Sequence, residues 1–176
     1  MPSAIEAILI CLVAQAAVTD LAVRKIPNVL ILSGLLLAMI LHLLAGPRWA
    51  PISHWLAGIA AGFLLFLPLY LLRGMAAGDV KLMAMVGAFA GPQAALHIAI
   101  LTYLIGGVMA VLALFCNSRW RDGLRNIALI CKPLVWTLLG LPLAKMPRSA
   151  INSVGGIPYG VAIALGTIGF VAWAHR

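Results

Sequence analysis

Uncharged apolar runs separated by short polar breaks organise this chain from end to end. The first run covers 4–21, with Gln15, Thr19 and Asp20 in its second half, and gives way to a polar loop. A Leu-rich run over 29–45 follows and is broken by Gly46, Pro47 and Arg48. The third covers 49–72, where Pro51 marks the start, Trp49 and Trp55 suit a membrane interface, and Pro68 predicts a kink. A Gly/Ala-rich stretch from Gly74 to Asp79 leads into a short fourth element over 82–90, closed by Gly91 and Pro92. A helix of about 14 residues rises only roughly 21 Å, so this element needs the Gly/Ala stretch or a thinned bilayer to cross. The fifth run, 93–116, holds Gly106 and Gly107 mid-length, where a neighbouring helix can approach closely. The last, 151–174, opens on a turn-rich sequence containing Pro158, Tyr159 and Gly160. Between these two runs, 117–150 carries six basic residues around an apolar patch at 133–144 and reads as an interfacial or re-entrant segment.

Composition turns these runs into membrane spans. Hydrophobic residues make up 64% of the 176 and charged residues 9%, against about 25% charged in a soluble domain. The predicted fold is therefore all-α and polytopic, with about six transmembrane helices in a single membrane-embedded domain, 1–176. The lipid bilayer is its first expected partner. The first run lacks a basic stretch before it and a small-residue cleavage site, so it reads as a retained span. Cys11, Cys116 and Cys131 show no paired or metal-ligand spacing and read as small core residues.

Charge sets the orientation. Twelve Lys and Arg against four Asp and Glu give a net +8, and the placement of this excess argues against nucleic acid as its cause. With the first loop cytoplasmic, Arg24, Lys25, Arg73, Lys81, Arg119, Arg121, Arg125, Lys132, Lys145 and Arg148 lie inside, and only Arg48 and Arg176 outside. Positive residues accumulate on the cytoplasmic side. Both termini are thus expected outside, and the loops beside Asp20 and Asp79 inside.

The four acids, Glu6, Asp20, Asp79 and Asp122, are scarce enough to be informative one by one. An intramembrane carboxylate is costly unless solvated, paired or protonated. Asp20 at the inner end of the first span and Asp79 at the inner start of the fourth share one depth. Two carboxylates held close do not both ionise cheaply, which leaves one as acid and one as base. Such a pair can activate water against an amide and protonate the leaving nitrogen. Gly78 and its small neighbours keep bulk away from Asp79, and Lys81 lies off its helical face. Each acid also has a plain structural role open to it. Asp20 can end a helix or pair with Arg24 at i+4, and Asp79 can be an N-cap. Asp122 sits among arginines as a surface ion pair, and Glu6 is expected to reach water at the outer end of its span. His42, His54, His97 and His175 are scattered without metal-ligand spacing, so neither a metal nor a cofactor is called for. Ser33 and His42 lie nine residues apart on one helix, which does not suit a serine nucleophile and its base.

Asp20 with Arg24, Lys25, Ile26, Pro27 and Asn28, then Gly78-Asp79-Val80-Lys81-Leu82, then Pro158-Tyr159-Gly160, in that order, resemble the type IV prepilin peptidase family. The likeness runs through most of the chain and is strongest to the short members that process Flp pilins. It implies a membrane aspartic endopeptidase in which Asp20 and Asp79 form the catalytic pair. The implied substrate is a prepilin, cleaved after glycine at the end of a short basic leader, ahead of its hydrophobic helix, at the cytoplasmic face of the bacterial inner membrane. Pro27, Asn28, Gly78, Lys81, Pro158, Tyr159 and Gly160 fall at motif positions that shape the site, although ordinary turns account for the two proline segments equally well. Ala76 stands where the motif has its first glycine. The chain begins at its first span, without the cysteine-tetrad region of longer relatives, so peptidase activity without N-methyltransferase activity is expected. A rival reading from the acids alone is a proton- or cation-coupled transporter, which predicts matching broken helices in two halves; only one Gly-interrupted short element is visible. A non-catalytic assembly protein has no use for the paired aspartates.

Overall fold

The computed structural model describes residues 3–45, 50–72, 74–116 and 158–175. Every regular element among them is helical: α1 (Ser3–Val23), α2 (Asn28–Ala45), α3 (Ala50–Leu71), α4 (Ala77–Ala90), α5 (Pro92–Cys116) and α6 (Tyr159–Ala174). Of these, α1, α3 and α5 are long and apolar enough to cross a membrane, while α2 and α6 are shorter apolar helices. The interfacial segment expected over 117–150, the ion pairs of Asp122, and residues 151–157 of the last run lie outside the described residues. Contacts divide the chain into two compact units. One is Met1–Gly107 with Pro158–Arg176 and contains the whole α1–α4 and α6 arrangement; the other is Val108–Ile157, in which 108–116 are described as the last turns of α5.

The first unit is apolar outside as well as inside, where Phe66, Phe89, Leu82 and Met83 are fully buried among Gly and Ala positions. Large side chains also point outward, including Leu44 (81% exposed), Val29 (79%) and Trp173 (68%), a surface that only lipid solvates at low cost. Inward positions are often Gly or Ala. Hydrophobic attraction between helices is weak in lipid, so close backbone packing has to hold them together. α4 is the centre of this packing: every residue from Leu82 to Ala90 is buried, and its most extensive contact is with α3. Gly58 of α3 and Gly87 of α4 meet backbone to backbone, and a Cβ on Gly62 would fall on the Met83 carbonyl. Neither neighbour is a flexible side-chain end. Gly62→Ala is therefore expected to lower stability by about 2–3 kcal/mol, the upper range for overpacking, as a fall in thermal midpoint in detergent.

Several local expectations change in the fold. α4 starts at Ala77, not near Leu82, because the Gly/Ala stretch forms its first turn. Asp79 is accordingly residue N3 of the helix and not its N-cap, which is Ala76. α3 continues through Pro68 to Leu71. α4 ends at Gly91, whose φ of 81° suits glycine, and Pro92 opens α5. Cys11 faces outward instead of filling the core. Glu6, expected to reach water, is buried (7% exposed) and accepts a 2.6 Å hydrogen bond from Nε2 of His175. Its burial follows from its face: Ile5, Glu6, Leu9, Val13, Ala16 and Asp20 are all buried, at intervals that mark one side of α1. No buried side-chain nitrogen or oxygen among the described residues is without a hydrogen bond.

Candidate active site

Asp20 is positioned by the last turn of α1. Val23 ends that helix, and Arg24 adopts φ 56°, donating its N–H to the Asp20 carbonyl at 2.9 Å. A left-handed residue at this place closes helices routinely, though usually it is Gly or Asn. The chain then turns through Ile26 and Pro27. The Pro27 carbonyl accepts from the N–H groups of Leu30 (3.1 Å) and Ile31 (3.4 Å), which starts α2 at Asn28.

The Asp20 side chain turns inward and is 7% exposed. Its Oδ2 accepts the backbone N–H of Gly160 at 2.8 Å, a contact across 140 residues of sequence. Gly160 belongs to the first turn of α6, where N–H groups lack intrahelical partners and the helix dipole favours an anion. Pro158 caps that turn, its carbonyl accepting from Val161 at 3.1 Å. Proline suits the place because the turn makes no use of its missing N–H.

Asp79 occupies the first turn of α4 and is 5% exposed. Its Oδ2 accepts the Ala76 N–H at 3.1 Å, which is the N3 half of a capping box; alanine has no oxygen to supply the other half. The two carboxyl groups thus reach one region from α1 and α4, both at helix ends. They are close enough for their charges to interact, and the Tyr159 phenol lies within the same electrostatic range of Asp79. Among the described residues, each carboxyl is hydrogen-bonded through Oδ2 alone. Oδ1 of each remains available to a substrate or to water. A general-base and general-acid pair needs that arrangement: orientation fixed by one oxygen, reactivity left on the other.

The other residues singled out in the sequence make contacts of their own. Tyr159 is half-buried and lies against Gly106 of α5, where an added Cβ would stand 2.9 Å from the ring. Gly78 faces Ile26 of the α1–α2 loop, and a methyl group added to Gly78 would stand 3.6 Å from the Ile26 Cβ. Ile26 thereby covers the first turn of α4, a role its place in an otherwise polar loop did not announce. Lys81 is exposed and donates to Oδ1 of Asn28 at 3.2 Å, tying α4 to the start of α2. An exposed bond of this kind contributes little, so Lys81→Met is expected to cost less than about 1 kcal/mol, measured as a small change in thermal midpoint. The groove between α5 and α6, about 370 Å³ and lined by Ile100, Leu101, Leu165 and Phe170 among others, holds no carboxylate and is apart from this chemistry.

A bundle whose described elements are all helical, apolar outside and with two electrostatically interacting aspartates buried within, defines a membrane protein with a charged centre. A family model described as the type IV leader peptidase family matches residues 7–111, a stretch that contains both aspartates and all of α1 to α4 beyond the first turn. The chain belongs to the type IV leader peptidase family. Neither a search of curated proteins nor one of solved structures finds a match. The family match, together with the apolar helices, makes this a membrane-associated peptidase.

Proposed function

We propose that the protein is an intramembrane aspartic endopeptidase that removes the short basic leader of Flp-type prepilins at the cytoplasmic face of the bacterial inner membrane. The observation that carries this reading is the burial of Asp20 and Asp79, close enough for their charges to interact and each oriented by a backbone N–H, inside the family-matched region. In the hydrolysis, one carboxylate takes a proton from water as the water oxygen bonds to the carbonyl carbon of the leader's last glycine. The other, protonated, gives its proton to the carbonyl oxygen. Collapse of the tetrahedral intermediate breaks the C–N bond as the first carboxyl protonates the leaving nitrogen and the second carboxylate takes back a hydroxyl proton from the intermediate. The net reaction adds one water and regenerates the pair.

The charge asymmetry supports a six-span topology with the aspartates at the cytoplasmic end and the start of α1 and end of α6 at the periplasmic side. A substrate leader retained in the cytoplasm meets the pair from that side. Arg24 and Lys25 repel a basic leader and are not assigned to its binding. Co-expression with an Flp-type pilin precursor tests the function: the pilin band should shift to the mature size with the wild-type chain. An unshifted band with every such precursor tried, from a well-expressed and folded protein, refutes it.

A further inference from the structure

The Glu6–His175 pair has no part in the chemistry above, yet it lies on the two helices that bring Asp20 and Gly160 together. α1 and α6 pack on each other and run in opposite directions. The buried positions of α1 include Glu6, Leu9, Val13, Ala16 and Asp20; those of α6 include Gly160, Ala164, Thr167 and Val171, with His175 as its C-cap. In antiparallel order the helix pair carries a polar bond at each end: Asp20 to Gly160 at 2.8 Å and Glu6 to His175 at 2.6 Å. Fourteen residues of rise on α1 span about 21 Å and fifteen on α6 about 22 Å, so both bonds form in a single register.

The apolar stretch between the two bonds does not select that register. Leu9, Val13, Ala16, Ala164 and Val171 are apolar and the Thr167 hydroxyl bonds the Ile163 carbonyl of its own helix, so none of them makes a directional bond that a slide of one turn, about 5.4 Å, would break. Lipid solvates the same groups as well as the neighbouring helix does, so burial discriminates weakly between registers. A buried carboxylate with a directional bond discriminates strongly, as single polar residues do in coiled-coil seams. Glu6 is well suited to this role: its side chain is 9% exposed, whereas that of His175 is 57% exposed.

We propose that Glu6 and His175 are positioning residues: at the far end of the α1–α6 pair they fix the register that places the Gly160 N–H on Asp20. The structural part stands by itself, while its catalytic consequence rests on the function proposed above. The test compares Glu6→Ala, His175→Ala and the exchanged pair Glu6→His with His175→Glu, in detergent. Hydrogen exchange at the Gly160 amide, which is bonded to Asp20, should rise about fivefold or more in each single variant, the lower range for coupling between separated sites. Amides of Leu82 to Phe89 should keep the wild-type rate. Cleavage of a prepilin should lose kcat by a similar factor with KM unchanged, and the exchanged pair should recover both readouts to within about twofold. If an alanine variant exchanges faster everywhere, Glu6→Met, similar in size and unable to accept the bond from His175, takes its place and must show the local rise. Unchanged exchange at Gly160 in the single variants, or no recovery in the exchanged pair, overturns the proposal. If even the wild-type chain leaves prepilins uncleaved, the proposed function falls, and the exchange rates still decide the register.

Discussion

Asp79→Asn and Asp20→Asn are each expected to reduce leader cleavage by about a thousandfold or more, within the range that general acid–base groups supply. The substitution is well matched to the geometry. The Asn side-chain oxygen can still accept from Ala76 in one case and from Gly160 in the other, so the helix ends stay capped. Only the ability to hold and pass a proton is lost. Removing a buried charge also relieves a desolvation cost, and the thermal midpoint of either variant should equal or exceed that of the wild type. In the proposed mechanism the two carboxyl groups act as a unit, so the double variant should be no slower than the worse single one. Efficient cleavage by either single variant would show that one aspartate is dispensable and would end the two-carboxyl mechanism.

Gly160→Ala is expected to lower kcat by about a hundredfold with little change in KM, the effect of displacing a reacting group by about 1 Å. A methyl group there would lie 2.8 Å from Oδ2, 3.0 Å from Cβ and 3.1 Å from Cγ of Asp20. Crowding at Cβ is the decisive part, because the root of a side chain cannot swing aside as its tip can. Asp20 must then move away with its backbone or give up the bond from Gly160. Gly169→Ala on the same helix is the control, since nothing lies within 4 Å of the added carbon. Wild-type kcat in Gly160→Ala would mean that the close approach of α6 has no bearing on the reaction.

Much of the helical plan was legible because each long apolar run is bounded by charge, proline or glycine. Runs at 29–45 and 93–116 correspond to Asn28–Ala45 and Pro92–Cys116. The start of α4 was not legible. Ala76, Ala77, Gly78 and Asp79 have the composition of a loop, and their helical turn exists because Asp79 caps it and Ile26 covers it. Glu6 failed for a related reason. A lone acid near a helix end ordinarily reaches water, and its partner, His175, is 169 residues away in sequence.

The site divides along the same line. Scarcity of acids, the positive-inside bias and the ordered motifs singled out Asp20 and Asp79 at one depth, since charge in a membrane is costly enough that each instance has to be justified. The sequence by itself therefore determined the membrane setting and singled out these two acids as the candidate pair. Which groups hold those acids and their neighbours was decided by the tertiary structure alone: Gly160 on Asp20, Lys81 on Asn28, His175 on Glu6. Hydropathy is additive along a chain and can be read residue by residue. A hydrogen bond between distant residues depends on helix register, and register is fixed only when the helices pack.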